Sequence, residues 1–188
     1  VTARSVAAAW KPTPQQLRAA HGKSVPDLIA PGLKVLFVGI NPGLYSAAVR
    51  HHFARPGNRF WPALQQAGFT RRQLSPFEEA ELLDRGYGIT NLVARATAAA
   101  SELKPAEFAA GARSLARKVR RYQPRAVAFL GLGAYRHGFA RPHATVGPQP
   151  ELLAAARVWV LPNPSGLNAN YQLPALVQLF GALRMSVK

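Results

Sequence analysis

Residues 34–43 read KVLFVGINPG. Val35, Leu36, Phe37 and Val38 form an apolar run too short for a helix and rich in residues that suit a pleated sheet, which predicts a strand buried on both faces. The run breaks at Gly39-Ile40-Asn41-Pro42-Gly43, so one polar side chain, Asn41, is delivered to the edge of a sheet. Pro42 fixes its own φ and restricts Asn41, while Gly39 and Gly43 leave room for another molecule beside the backbone. Taken alone, such a break is also an ordinary strand-to-loop turn. A second break of the same kind follows residues 157–161 (RVWVL), where Pro162-Asn163-Pro164-Ser165-Gly166-Leu167 leaves the sheet. Two buried strands that each end in an Asn-Pro corner predict two walls of one site.

Outward from these corners, helices and strands alternate. Residues 1–10 read as an Ala-rich, frayed arm, and Thr13-Pro14-Gln15-Gln16 is a capping box opening a helix that ends at His21-Gly22. Residues 44–58 read as a long loop, with Asn58 capping a helix whose apolar stripe is Phe60, Trp61 and Leu64. Ser75-Pro76-Phe77-Glu78 is another capping box, for a helix ending at Arg85-Gly86, and GITNLV (88–93) is a second strand. Residues 94–104 read as a loop. Pro105 opens a helix to about Tyr122, buried through Phe108, Ala112, Leu115 and Val119. AVAFL (126–130) is a third strand running into Gly131-Leu132-Gly133, residues 141–150 are a Pro/Gly-rich loop, and residues 172–185 close the chain as a helix after the fourth strand. Solid apolar strands alternating with helices predict a parallel sheet covered on both faces, with ligands beyond the carboxyl ends of the strands. Both Asn-Pro corners lie there.

Composition narrows the chemistry. The chain's 188 residues fit one domain, and 24 Lys and Arg against 8 Asp and Glu give a net charge of +16, the electrostatic footprint of a protein that meets nucleic acid. With no cysteine, disulfides, thiol catalysis, Cys-ligated zinc and iron–sulfur clusters are excluded. No apolar stretch predicts a membrane span or a signal peptide, so the expectation is a soluble, cytoplasmic protein. None of the eight acids lies close in sequence to either corner, so a catalytic carboxylate pair would have to come from distant loops. The phosphate-loop and dinucleotide fingerprints are absent, and His51 and His52 are adjacent and cannot both face one ion; no cofactor and no metal are expected. The work falls to neutral polar groups, backbone dipoles and water. Phe53 can be core or a stacking face for a planar ring. Leu167, at the tip of a polar loop on a basic protein, can be an ordinary exposed residue or a wedge between base steps. A wedge beside a pocket with a stacking ring is what taking a base out of a duplex requires.

GINPG, then HFARPGNRFW, and later LPNPSGL closely resemble the mismatch-specific uracil-DNA and thymine-DNA glycosylases, from about Asp27 to the end of the chain. The resemblance implies a three-layer α/β/α sandwich with a four-stranded, mostly parallel sheet: an arm over residues 1–24 and a single glycosylase domain over 25–188. It implies a monofunctional, monomeric enzyme that hydrolyses the N-glycosidic bond of uracil, and of related damaged pyrimidines, opposite guanine in double-stranded DNA of the bacterial nucleoid. Asn41 would hold the attacking water. Ile40, Gly43 and Ser46 would contact the flipped base, Phe53 would stack on it and Asn163 would line the second wall. Ser165, Gly166 and Leu167 would form the wedge, with Gly166 near the widowed guanine. The iron–sulfur branch is excluded by the missing cysteines, and the uracil-only branch has His where Asn163 stands. Two positions depart from the family: Ala94 stands where an acidic residue is expected, and Ala169 where some relatives carry Arg. A mismatch-binding protein that barely cuts, and a basic RNA-associated protein on an α/β core, are the alternative readings.

Overall fold

The computed structural model describes residues 11–187, so the arm read over residues 1–10 lies outside them. The Thr13 hydroxyl accepts from the Gln16 N–H and the Gln16 side chain accepts from the Thr13 N–H, so the capping box forms and opens α1 (Pro14–Ala19). Then come β1 (Val35–Gly39), α2 (Leu44–Val49), α3 (Phe60–Gln66), α4 (Glu81–Asp84) and β2 (Tyr87–Asn91). The 18-residue α5 (Pro105–Tyr122) leads into β3 (Ala126–Leu130), α6 (Leu132–Phe139), β4 (Gly147–Leu153), β5 (Ala156–Leu161) and α7 (Leu173–Ser186).

The sheet has five strands in the order β2-β1-β3-β5-β4, with β4 alone antiparallel. This corrects the expected four. The missed strand falls partly in the segment read as a Pro/Gly-rich loop, and it carries Pro148 and Pro150. Proline lacks the N–H a central strand needs, but an edge strand tolerates it, and β4 is an edge with an irregular register between Pro148 and Leu152. The 44–58 loop is corrected too: it begins with α2, which ends at Arg50 in the left-handed region (φ 62). A six-residue helix stopped by Arg rather than Gly carries no stop signal in sequence. The helix expected from Ser75 to Arg85 is instead a 3₁₀ turn over Pro76–Glu78 followed by the short α4.

Alternation along each strand sorts the core into two layers. Val35, Phe37, Ala126, Ala128, Leu130, Trp159 and Leu161 face one layer, against Phe60, Trp61 and Leu64 of α3 and Leu176, Phe180 and Leu183 of α7. Leu36, Val38, Val127, Phe129, Val158 and Val160 face the other, against Phe108, Leu115 and Val119 of α5 and Ala134 and Tyr135 of α6. Strands buried on both faces have no polar face to show, which is why they read as continuous apolar runs. The chain leaves β1 for β2 on one side and returns through α5 to β3 on the other. Strand order therefore reverses at β1, and the crevice of such a sheet opens at that strand's carboxyl end. Asn41 stands there.

Candidate active site

One cleft of about 280 Å³ at this end is lined by Ile40, Asn41, Gly43, Ser46, Phe53, Asn163, Ser165 and Leu167, and also by His52, Arg55, Asn58, Asn91 and Thr97. Residues more than a hundred positions apart in sequence share it because β1 and β5 both flank β3 and run parallel to it, so their carboxyl ends emerge side by side. Among the described residues no carboxylate lines the cleft.

The two asparagines present opposite polarity. Asn41 donates both amide hydrogens, to the Arg95 carbonyl (3.0 Å) and the Thr97 hydroxyl (2.8 Å), and that hydroxyl in turn donates to the Ala99 carbonyl (2.8 Å). A carbonyl only accepts, so Nδ2 must face Arg95, and Oδ1 is left to accept from a water or ligand. Asn163 is turned the other way. Its Oδ1 accepts from the Ser165 N–H (3.0 Å), its backbone carbonyl accepts from Asn168 Nδ2 (2.9 Å), and its own Nδ2 is the free donor. A second, shallower hollow of about 510 Å³ adjoins the cleft across Ile40 and Asn163 and runs to Gly131–Ala134. It is larger, but Asn41 does not line it.

Phe53 is half-buried, with its ring 4.2 Å from that of Phe60 and inclined 30° to it, so core and cleft share one side chain. Its backbone is left-handed (φ 51), a conformation that costs a non-glycine residue about 1–3 kcal/mol and persists only where neighbours impose it. They do. Glu79 accepts from the His52 N–H (2.9 Å) and pairs with His51 Nδ1 (2.9 Å), while the Ala54 N–H donates to Ser46 Oγ (3.1 Å). Ser46 is buried, and its hydroxyl oxygen braces this turn.

His52 is buried too, with Nε2 donating to the Pro26 carbonyl at 2.9 Å. Burial pushes its pKa below the ordinary 6.5, against the opposing pull of Glu79. The folded state therefore binds this proton less readily than the unfolded chain. The stability present above pH 6.5 is lost as pH falls through 6.5 toward the lower folded value. Melting followed from pH 7.5 to 5 should show that loss. His52→Gln, whose amide can still donate to Pro26, should lose less over the same range.

The second corner is held from outside by a residue the sequence reading passed over. Arg59 donates to the carbonyls of Asn168 (3.0 Å), Tyr171 (2.7 Å) and Gly166 (3.1 Å), and its N–H donates to Pro164 O (2.9 Å). Gly166 sits so close to Gly57 that a Cβ there would lie 2.5 Å from its carbonyl oxygen. Leu167 projects from this braced loop 75% exposed, at the mouth of the cleft. Arg59→Ala removes a charged donor from three carbonyls. It should cost about 2 kcal/mol in denaturant unfolding and speed amide exchange across residues 163–171. In the sequence Arg59 stands inside HFARPGNRFW, beside an apolar helix stripe, with nothing local to mark its role.

Asn91, at the end of β2 opposite Gly39, was also missed. A Cβ on Gly39 would lie 2.5 Å from Asn91 Oδ1 and 3.3 Å from the Phe53 ring, so this glycine exists to admit both side chains. Ala94 is not brought to the cleft lining: it is exposed and faces a neighbouring hollow with Arg95, Glu107 and Lys118 that shares Asn91 with the cleft. Gly166 lies outside the lining as well, in a groove with Arg55, Gly57 and Arg59.

Fold and cleft define an α/β protein that takes its ligand at the carboxyl edge of a parallel sheet. A model of the Uracil DNA glycosylase superfamily matches residues 26–183. The chain belongs to that superfamily, and its function is of the uracil DNA glycosylase type. It is similar in fold to a solution NMR structure of a candidate uracil DNA glycosylase from Methanosarcina acetivorans. The TM-score is 0.61 over 87% of this chain and 97% of that one, at 17% identity. No helix among the described residues is long and apolar enough to cross a membrane.

Proposed function

We propose that this protein is a monofunctional glycosylase that flips uracil, or a related damaged or mispaired pyrimidine, out of double-stranded DNA opposite guanine and hydrolyses its N-glycosidic bond. It works as a monomer on bacterial nucleoid DNA in the cytoplasm, with no metal or cofactor. The observation that carries this reading is the pair of oppositely turned asparagines in one cleft, with the Phe53 ring on its flank and Leu167 at its mouth.

The flipped base stacks on the open face of Phe53. Asn163 Nδ2 donates to a ring carbonyl, Asn91 reads the ring edge, and Ile40, Gly43 and Ser46 close around the remainder. Asn41 Oδ1 accepts a hydrogen bond from a water whose oxygen attacks C1′. As the C1′–O bond forms, C1′–N1 breaks and its electron pair passes to N1, spread over the two carbonyl oxygens; the water's proton leaves to the base or to solvent. The products are free pyrimidine and an abasic sugar. The sugar is cation-like at the barrier, so a weakly activated water suffices, and fixed N–H donors stabilise the departing anion. Leu167 fills the vacated stack, Ser165 shapes its turn and Gly166 approaches the unpaired guanine. The +16 charge holds the phosphates.

Incubating duplexes that carry G·U, A·U or G·C with the protein, then treating them with alkali, tests this. Strand breaks at uracil opposite guanine that appear only after alkali support it. Tight G·U binding without breaks supports instead the recogniser that does not cut, a reading favoured by the missing acid at Ala94. A carboxylate near a developing cation stabilises it, more weakly where solvent screens the pair. Ala94→Asp is therefore expected to raise the single-turnover rate. An unchanged rate would show that the water on Asn41 needs no such help.

A further inference from the structure

We propose that residues 13–25, which precede the family match, are a positioning element of the active site and hold Asn41 in its working orientation through the backbone of Ala96. The inference rests on the reading that Asn41 Oδ1 holds the water. The Ala96 N–H donates to the Lys23 carbonyl at 2.7 Å, and the Ala96 carbonyl accepts from the Gly22 N–H at 2.8 Å. Its two neighbours are the residues that hold Asn41: the Arg95 carbonyl at 3.0 Å and the Thr97 hydroxyl at 2.8 Å. A shift at Ala96 moves both.

This loop has little apolar burial of its own, and its other ties are polar: Arg95 pairs with both oxygens of Glu107, and the Thr97 N–H donates to the Pro42 carbonyl (3.2 Å). Between Val93 and Leu103 only Ala96 and Thr97 are buried. Ala20, 1% exposed, and Val25 join Ala96 and Ala47 in a small core separate from the two sheet layers, with Leu44 and Ala48 packed against it. That core backs α2, which begins directly after Gly43, so one contact supports the Asn41 corner from both sides. A further tie runs from His21 Nε2 to Glu102 (3.2 Å), whose carboxylate also accepts from the Ala99 N–H (2.8 Å) in the turn at the cleft.

What the clamp secures is the sense of an amide. With both acceptors in place, Asn41 keeps Nδ2 engaged and Oδ1 free to accept. If they move apart, the amide is free to turn over and offer Nδ2, which cannot accept from water. The loss therefore falls on the chemical step and not on DNA binding.

The test uses the full chain with Ala20→Glu, which drives a carboxylate into the buried contact, and Ala20→Ser as the conservative change. Ala20→Glu should lower the single-turnover rate on G·U at least tenfold and leave affinity for an abasic duplex within about twofold. It should expose the Ala96 amide to exchange while Phe37 and Val127 in the sheet stay protected; Ala20→Ser should keep the wild-type rate. Added to Asn41→Ala, Ala20→Glu should cost nothing further, because the group it acts through is gone. Should Ala20→Glu lose protection at Phe37, Ala20→Val, which overpacks the same contact, carries the comparison. A full rate with Ala96 exchanging freely would overturn the proposal, and so would an undiminished loss in the Asn41→Ala background. Wild-type turnover by Asn41→Ala alone is a separate result, which removes the parent reading.

Discussion

Asn41→Ala should lower single-turnover excision from a G·U duplex about 10²–10³-fold, the range found when one preorganised polar contact to a transition state is removed. Affinity for the duplex should change little, because on the proposed reading Asn41 acts at the reacting centre while surface charge meets the phosphates. The side chain is half-exposed and its two partners, a loop carbonyl and a hydroxyl, can turn to water, so melting should shift by only a few degrees. Excision at the wild-type rate would take Asn41 out of the mechanism, and with it the reading of the cleft as a hydrolytic site.

Gly39→Ala is the second large effect expected, and it comes from a single methyl. The strand backbone accepts alanine, but the new Cβ would lie 2.5 Å from Asn91 Oδ1 and 3.3 Å from the Phe53 ring. The amide must swing aside and the ring must give by a few tenths of an ångström. Neither is backbone, so the fold holds, with a cost of about 1 kcal/mol, while two walls of the cleft move together. Displacing substrate-positioning groups by this much costs about 10–10² in rate. Near-native melting with that loss would separate the cleft from the core. Undiminished excision would show that neither side chain needs its present position.

The sequence was most legible where one local cause sufficed. Continuous apolar runs gave β1, β3 and β5, since strands buried on both faces leave little polar to interrupt them, while β2 was read from GITNLV despite Thr90 and Asn91 within it. Prolines and capping boxes gave the starts of α1 and α5. The misses lack a local signal: β4 became legible only once an edge position was there to excuse its prolines, and α2 stops at a left-handed Arg50, a residue type that does not announce a helix end. Arg59 and Asn91 were missed because their importance lies in partners far along the chain, the 166–171 carbonyls for one and Gly39 for the other.

By itself the sequence determined that this is a basic, cysteine-free α/β chain with two Asn-Pro corners at strand ends and no acid near either, because composition and local pattern are properties of the chain alone. Only the tertiary structure decided that the corners share a cleft, that Asn41 leaves its oxygen and Asn163 its nitrogen free of protein partners, and that Ala94 stands outside the lining. Side-chain sense is fixed by partners such as the Arg95 carbonyl and the Ser165 N–H. Only the completed sheet brings the ends of β1 and β5 to one rim.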